Sequence, residues 1–152
     1  MSVKWDRRFM EVAAQVATWS KDPSSKVGAV VVGANKAILT TGYNGPPRGV
    51  NDDIPERWER PLKYKIVAHA EANAIYNAAR KGVALEGATI YVSTLPPCTT
   101  CAQAIIQCGI RRVVVQTVDV PDRWKDDLAE ATEMLAEAGV QMGVLTEDCR
   151  DE

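Results

Sequence analysis

Residues 69–101 read HAEANAIYNAARKGVALEGATIYVSTLPPCTTC, and this stretch predicts the central part of the fold. It begins within an Ala-rich segment, residues 64–79, whose composition favours a helix that ends before Gly82. Residues 89–93 are rich in β-branched and aromatic side chains and predict a strand. After the Pro96-Pro97 turn, Thr99 or Thr100 could cap a second helix that runs through residue 107. The stretch therefore predicts helix, strand and helix in succession.

One histidine and two cysteines of this stretch have the chemistry of a metal site. His69, Cys98 and Cys101 can supply three ligands to zinc, which leaves a fourth tetrahedral position open, as in catalytic sites. A water at that position would have its pKa lowered to about 7. Glu71 lies two residues after the histidine and can move protons without binding the metal. The combination H-x-E followed by P-C-x-x-C is typical of nucleobase deaminases, so the stretch predicts a zinc-dependent deaminase.

Other cysteine sites remain as alternatives. A C-x-x-C pair alone is also found in structural zinc sites and in redox motifs. A four-cysteine site would use Cys98, Cys101, Cys108 and Cys149, but the chain lacks the second closely spaced pair that such sites usually have. A redox pair does not require an upstream His-Ala-Glu. Cys108 and Cys149 are assigned no function.

Length and charge limit the partners of the chain. Its 152 residues suit one domain, predicted over residues 1–152. The 18 basic and 20 acidic residues give a net charge of −2, which offers no basic surface for nucleic acid. No apolar run approaches the ~18 residues that span a bilayer, and residues 1–20 lack the apolar core of a signal peptide. Cysteines that bind a metal must stay reduced, so a cytoplasmic location is expected.

Hydrophobic periodicity predicts elements on both sides of the central stretch. Apolar residues at steps of three and four predict a helix over residues 5–19 and another from Trp124 to Gly139. The predicted strands are residues 27–32, 37–43, 89–93, 111–117 and 140–145. A short loop makes the first two antiparallel, and helices between the later strands imply parallel neighbours. The fold class is therefore α/β, a three-layer α/β/α sandwich with a five-stranded mixed sheet. The acidic tail, residues 146–152, is expected to be loose.

Residues 44–61 form a long segment rich in Gly, Pro, Asn and Asp. Loops of this length inside a compact domain are most often lids or binding loops. A disordered insertion is the alternative.

The chain resembles the cytidine deaminase superfamily over about residues 5–144, and within it the deoxycytidylate (dCMP) deaminases. The zinc motif indicates the superfamily, and Gly42-Tyr43-Asn44-Gly45 points to the dCMP deaminases. The segments that carry the resemblance are Ser20-Lys21-Asp22-Pro23 with Val27-Gly28-Ala29, Gly42-Tyr43-Asn44-Gly45-Pro46-Pro47-Arg48-Gly49, His69-Ala70-Glu71-Ala72-Asn73-Ala74-Ile75, and Pro97-Cys98-Thr99-Thr100-Cys101.

The resemblance implies hydrolysis of dCMP to dUMP and ammonia. It assigns one zinc ion per subunit to the three ligands above, and proton transfer to Glu71. Asn44 would contact the deoxyribose or the base, and the backbone N–H of Ala70 would donate to the pyrimidine carbonyl. Similar enzymes are commonly hexameric and are tuned by dCTP and dTTP. Residues 51–68 contain no Cys or His, so the second, structural zinc of some members is not expected.

A nucleoside monophosphate requires a cationic or amide-rich site for its phosphate. The first candidates are Ser24, Ser25 and Lys26, in the turn before the first strand. Arg123 and Lys125, at the start of the last long helix, are the second. For each of them, a solvated surface side chain is the alternative.

Three other functions fit parts of the pattern. A deaminase of free cytidine or deoxycytidine would need no phosphate site. A tRNA adenosine deaminase shares the zinc motif but should carry a more basic surface. A zinc-stabilised binding module would not need Glu71 and would consume no nucleotide.

Trp124 is predicted to be a core or subunit contact and not a stacking platform.

Overall fold

The computed structural model describes residues 2–117 and 119–145, which form one sheet with helices on both faces. The strands are β1 Gly28–Val32, β2 Ile38–Tyr43, β3 Thr89–Val92, β4 Arg112–Val115 and β5 Gln141–Val144. The helices are α1 Val3–Ala17, α2 Lys63–Ile66, α3 Ala70–Lys81, α4 Thr99–Gln107 and α5 Lys125–Glu137. Two 3₁₀ turns lie at Pro55–Trp58 and Asp122–Trp124. The predicted tail lies outside the described residues.

The five strands form one mixed sheet in the order β2-β1-β3-β4-β5. β1 is antiparallel to both β2 and β3, whereas β3, β4 and β5 are parallel to one another. The predicted hairpin, the parallel later strands and the five-stranded mixed sheet are all confirmed. Among the described helices, none is long and apolar enough to cross a membrane.

Alternate residues of the interior strand β1 pack against different helical layers, as the two faces of a strand require. Val30 belongs to a buried cluster with Phe9 of α1. Val31 belongs to a second cluster with Ala74 of α3 and Ile105 of α4. Side chains of α5 join that second cluster, so α1 covers one face and the other three long helices cover the opposite face. The predicted three-layer arrangement is confirmed.

A buried ion pair joins α1 to the sheet. The carboxylate of Asp6 accepts two hydrogen bonds from the Arg112 guanidinium, at 2.8 and 2.7 Å, and one from the Tyr91 hydroxyl at 2.7 Å. Burial acts to raise the pKa of Asp6, but these donors hold it below its ordinary value. The pair therefore fixes α1 against β3 and β4.

The prediction of one continuous helix over residues 64–79 is wrong at residues 67–69. The short α2 ends at Ile66, and α3 begins only at Ala70. Between them, the backbone of Ala68 exchanges two hydrogen bonds with Gly45, at 3.1 and 2.9 Å. A residue paired in this way with a distant segment has no backbone groups left for a helix.

The predicted cap of α4 also differs from the observed one. Cys98 is the N-cap residue, in an extended conformation, and its Sγ accepts a hydrogen bond from the backbone N–H of Cys101. Thr99 is the first helical residue. The helix therefore begins one residue earlier than it would with Thr99 as the cap, and two residues earlier than with Thr100 as the cap.

Gly42→Ala is expected to lower the free energy of unfolding by about 3 kcal/mol, at the upper end of overpacking costs. A Cβ at Gly42 would meet backbone atoms of α3, with Ala74 Cα at 2.8 Å, and a helix backbone cannot move aside as a side chain can. Urea unfolding would measure the change. Gly45→Ala is the control, since a Cβ there meets only Trp58 at 4.0 Å. Equal losses in the two variants would contradict the packing argument.

Candidate active site

The structure brings the three predicted zinc ligands together. The Nδ1 atom of His69 lies 3.4 Å from the Sγ of Cys98 and 3.4 Å from the Sγ of Cys101. All three ligand atoms lie within 4.8 Å of one another, and among the described residues this is the one such group of three His, Cys, Asp or Glu side chains. Bond lengths of ~2.1 Å to nitrogen and ~2.3 Å to sulfur place N and S about 3.5 Å apart around a tetrahedral zinc. The donor set and its spacing therefore fit zinc.

Two helix N-termini position these ligands. His69 is the N-cap of α3, whereas Cys98 is the N-cap of α4 and Cys101 lies in its first turn. The positive end of a helix dipole favours the thiolate form of a nearby cysteine.

The ligands also shift one another's pKa values. The hydrogen bond from the Cys101 thiol lowers the pKa of Cys98 to about 4, against the effect of burial. The same bond and burial raise the pKa of Cys101 above its ordinary value. The bond to Cys98 raises the pKa of His69 to about 9. Zinc binds thiolates and neutral imidazole, so metal binding at this site releases protons.

Glu71 lies beside the ligands without being one of them. Glu71 is in the first turn of α3 and is only 5% exposed. It lines the same cavity as the ligands His69 and Cys98. Burial raises the pKa of its carboxyl group. A carboxyl group with a raised pKa accepts a proton more readily than an exposed one, which suits a group that takes up and returns a proton.

A cavity of about 400 Å³ is lined by two of the three zinc ligands, His69 and Cys98, and by Glu71. This volume lies within the range of small-molecule sites. The walls come from the turn before β1, the segment around α2, the residues after β3 and the start of α5. Five predicted substrate-binding residues are among the lining residues, namely Ser24, Ser25, Asn44, Ala70 and Arg123.

Two predicted phosphate candidates lie outside this lining. Lys26 is exposed and does not line the cavity. Lys125 is exposed as well, and its Nζ lies 2.7 Å from the Asp122 carboxylate in the adjacent turn. The charge of the cavity therefore comes from other residues.

The side chain of Asn44 is buried and fully engaged with the protein. Its Oδ1 accepts a hydrogen bond from the Val27 N–H at 2.9 Å. Its Nδ2 donates to Asp22 Oδ2 at 3.1 Å and to the Ser25 carbonyl at 2.8 Å. Asn44 thus holds the turn that contains Ser24 and Ser25 against the cavity.

Asp22 is a buried residue of the cavity wall that the sequence analysis did not assign. Its carboxylate accepts hydrogen bonds from the N–H groups of Ser24 and Ser25 and lies 2.7 Å from the Lys63 ammonium. Burial acts to raise the pKa of Asp22, but these donors hold it below its ordinary value. The Asp-Pro-Ser-Ser sequence was the available signal, since Asp commonly binds the backbone two residues on.

Three cationic side chains line the cavity, and two of them were not predicted. They are Arg60, Lys63 and Arg123. Lys63 is paired with Asp22, and its Nζ also donates to Ser24 Oγ at 2.9 Å. No motif marks Arg60 or Lys63, because both lie in a polar stretch without periodicity, Arg60 before α2 and Lys63 at its first residue.

Trp124 lines the cavity and is not among the core side chains of the described residues, so the predicted core contact is not observed, whereas a subunit contact stays a prediction. It lies in the 3₁₀ turn before α5, outside the apolar face of that helix. Its ring meets the Tyr64 ring edge-on at 6.0 Å, and the Arg123 guanidinium lies 5.6 Å from its centroid. The Arg60 guanidinium likewise lies over the Tyr64 ring, 5.9 Å from the ring centroid.

Several known proteins are similar to this chain in sequence or in fold. A family model described as the cytidine and deoxycytidylate deaminase zinc-binding region matches residues 3–117. A protein of Aliivibrio fischeri named "Uncharacterized deaminase in luxG 3'region" is 43% identical over 144 residues, covering 93% of this chain and 94% of its own. Human deoxycytidylate deaminase is 40% identical over 140 residues, and the match covers 88% of this chain and 74% of the human protein.

The crystal structure of the dCMP deaminase from cyanophage S-TIM5, in complex with dCMP and dUMP, has a TM-score of 0.77 at 26% identity. The match covers 95% of this chain and 98% of that one. With its zinc-ligand geometry and these matches, the chain belongs to the cytidine and deoxycytidylate deaminase family. It is a zinc-dependent hydrolytic deaminase, and two of the three relatives described above carry the name of dCMP deaminase.

Proposed function

We propose that this chain deaminates dCMP to dUMP and ammonia and so supplies dUMP for thymidylate synthesis. The observation that carries the proposal is one cavity lined by the zinc ligands His69 and Cys98, by Glu71, and by three cations, Arg60, Lys63 and Arg123. The first group suits chemistry at a pyrimidine ring, and the second suits a phosphate. The net charge of −2 supports a small nucleotide over a polynucleotide substrate.

His69, Cys98 and Cys101 would hold the zinc ion. When bound there, the metal supplies Lewis-acid activation of a water molecule at neutral pH. Glu71 takes up a proton, gives it to ring nitrogen N3 and then assists the departure of the amino group as ammonia. The Ala70 N–H precedes the first helical hydrogen bond of α3, which runs from Asn73 N–H to the His69 carbonyl. It is therefore available to donate to the pyrimidine carbonyl.

We propose that Arg60 and Arg123 are the main phosphate contacts, with Ser24 and Ser25 as hydroxyl donors. The charge of Lys63 is balanced by Asp22 at 2.7 Å. The two guanidinium groups instead lie over aromatic rings of the wall, where they keep their charge beside the cavity. Guanidinium groups match phosphate oxygens in a two-pronged geometry.

Arg123→Gln is expected to lower kcat/KM for dCMP by about 10- to 100-fold, because a hydrogen bond to a charged group contributes about 1.5–3 kcal/mol. Activity on deoxycytidine, which has no phosphate, should change little. Ammonia release from both substrates would measure the difference. Lys26→Gln is the matched control, since it removes one positive charge outside the cavity lining.

Two outcomes would count against these assignments. An equal loss on dCMP and deoxycytidine would remove Arg123 from the phosphate site, and a dCMP-specific loss in Lys26→Gln would return that site to Lys26. The wild-type protein should prefer dCMP over deoxycytidine, CMP and dCTP. Preference for deoxycytidine would instead support a deaminase of free nucleosides.

Further proposals rest on the family resemblance and on the chemistry of the ligands. We propose one domain over residues 1–152, a homo-oligomer of hexameric form, and regulation by dCTP and dTTP. Reduced thiolate ligands suit the cytoplasm.

Asn44 could contact the sugar only by exchanging one of its present hydrogen bonds, so we propose that it mainly shapes the wall beside the sugar.

A further inference from the structure

One side chain of α5 forms hydrogen bonds with the first residue of α4, the helix whose N-terminus carries two zinc ligands. Asp127 lies in the first turn of α5 and is half-buried. Its Oδ2 accepts the backbone N–H of Thr99 at 3.1 Å, and its Oδ1 accepts the Thr99 hydroxyl at 2.8 Å. Thr99 directly follows the ligand Cys98 and is the first residue of α4. The contact therefore lies one residue from the metal site.

The start of α4 needs such an acceptor. The first N–H groups of a helix have no partner within the helix and are usually served by the side chain of the N-cap residue. Here the N-cap residue is Cys98, and its Sγ is shared between the Cys101 N–H at 3.5 Å and His69 Nδ1 at 3.4 Å. That sulfur serves the N–H of Cys101, and the N–H of Thr99, at the first helical position, is bound instead by Asp127 from a neighbouring helix.

The two bonds to Thr99 also fix its orientation. One carboxylate oxygen holds the main chain and the other holds the side chain, so the peptide between Cys98 and Thr99 is held in place. Asp127 does not line the cavity and is not part of the ligand group. We propose that Asp127 is a positioning residue that sets Cys98 for zinc binding through Thr99. This inference rests on the zinc site of the proposed function.

The same contact links the metal to the wall that holds the substrate. The start of α5 and the turn before it supply Arg123, Trp124 and Leu128 to the cavity lining. Asp127 lies between these residues in sequence and anchors that segment to the zinc-binding turn. The ligand Cys98 and the proposed phosphate contact Arg123 are thereby held by one short segment.

Asp127→Ala is expected to lower zinc affinity by about 10- to 100-fold, the usual effect of removing a side chain that orients a metal ligand. Competition with a chromogenic chelator would measure it on the full chain. Asp126→Ala is the matched control, because Asp126 is adjacent, exposed and of equal charge. The visible spectrum of the Co²⁺-loaded protein should shift in Asp127→Ala and stay unchanged in Asp126→Ala.

Variants of Thr99 separate positioning from general stability. Thr99→Ser keeps both donors and should bind zinc as the wild type does, whereas Thr99→Val loses the hydroxyl bond and should weaken binding. Adding Asp127→Ala to Thr99→Val should cost less than Asp127→Ala does alone, since the two residues share one interaction. Should Asp127→Ala fail to fold, Thr99→Val against Thr99→Ser carries the test.

Equal zinc affinity and equal Co²⁺ spectra in Asp127→Ala and Asp126→Ala would overturn the proposal. So would wild-type affinity in Thr99→Val. These readouts do not depend on turnover. A wild-type protein that binds zinc but releases no ammonia from dCMP would refute the proposed function, and the Asp127 comparison would still stand or fail by itself.

Discussion

The Glu71→Gln protein is expected to keep one equivalent of zinc and to lose dCMP turnover by a factor of about 10² to 10⁴. Glutamine has the shape of glutamate but cannot accept a proton from water and return it to the ring. The structure sets Glu71 in the first turn of α3 beside the ligands, and burial raises its pKa towards the range in which a proton moves both ways. Ammonia release and zinc content would be measured on the same preparation.

An alternative role for Glu71 is a simple acidic residue at a helix start. A helix dipole gives such a residue about 0.3–1 kcal/mol of stability and nothing for turnover. Glu71→Gln would then shift the urea midpoint slightly and leave activity near normal. Near-normal turnover with zinc retained would therefore remove Glu71 from the chemistry.

The zinc ligands could be predicted from the sequence because their residue types are scarce. The chain has a single histidine and four cysteines, and the metal motif uses three of these five residues. Their spacing in the sequence is set by the starts of two helices, each of which presents its ligand at or near the N-cap. Scarce residue types and the starts of helices can both be identified from the local sequence, so the metal site could be predicted without knowledge of the tertiary fold.

The proposed phosphate side of the cavity could be predicted only in part. Arg123 is among the predicted candidates, but Arg60 and Lys63 come from a polar segment 60 or more residues earlier in the chain, where nothing distinguishes them from surface residues. Lys26 is next to Ser25 in sequence but, unlike Ser25, is not among the residues that line the cavity. Common residues acquire this role only through the long-range fold.

The break before α3 shows that secondary structure, too, cannot be predicted from local sequence where a distant segment determines it. Local composition favours a helix through residues 67–69, yet the two hydrogen bonds between Ala68 and Gly45 hold that segment extended. The partner lies 23 residues earlier in the chain, beyond the range of helical propensity. The break has a consequence for function, because it leaves His69 as an extended N-cap residue that faces Cys98 and Cys101.

Cys101→Ala is expected to lower zinc affinity by about 10² to 10³ and to reduce dCMP turnover to background. A four-ligand zinc site contributes about 10–16 kcal/mol, so one ligand accounts for about 2.5–4 kcal/mol. Cys101 is 1% exposed and lies in the first turn of α4, where no other described side chain can take its place in the ligand group. His69→Ala should show a loss of the same order.

Cys108→Ala provides the matched control, because it removes a thiol from the residue that follows the same helix. The Cys108 thiol donates to the Ile105 carbonyl at 3.4 Å, and burial raises its pKa, so it is poorly suited to act as a thiolate ligand. Zinc content and turnover should be unchanged in this variant, apart from a small loss of packing. Wild-type zinc affinity in Cys101→Ala or His69→Ala would contradict the ligand assignment, and zinc loss in Cys108→Ala would favour the four-cysteine site instead.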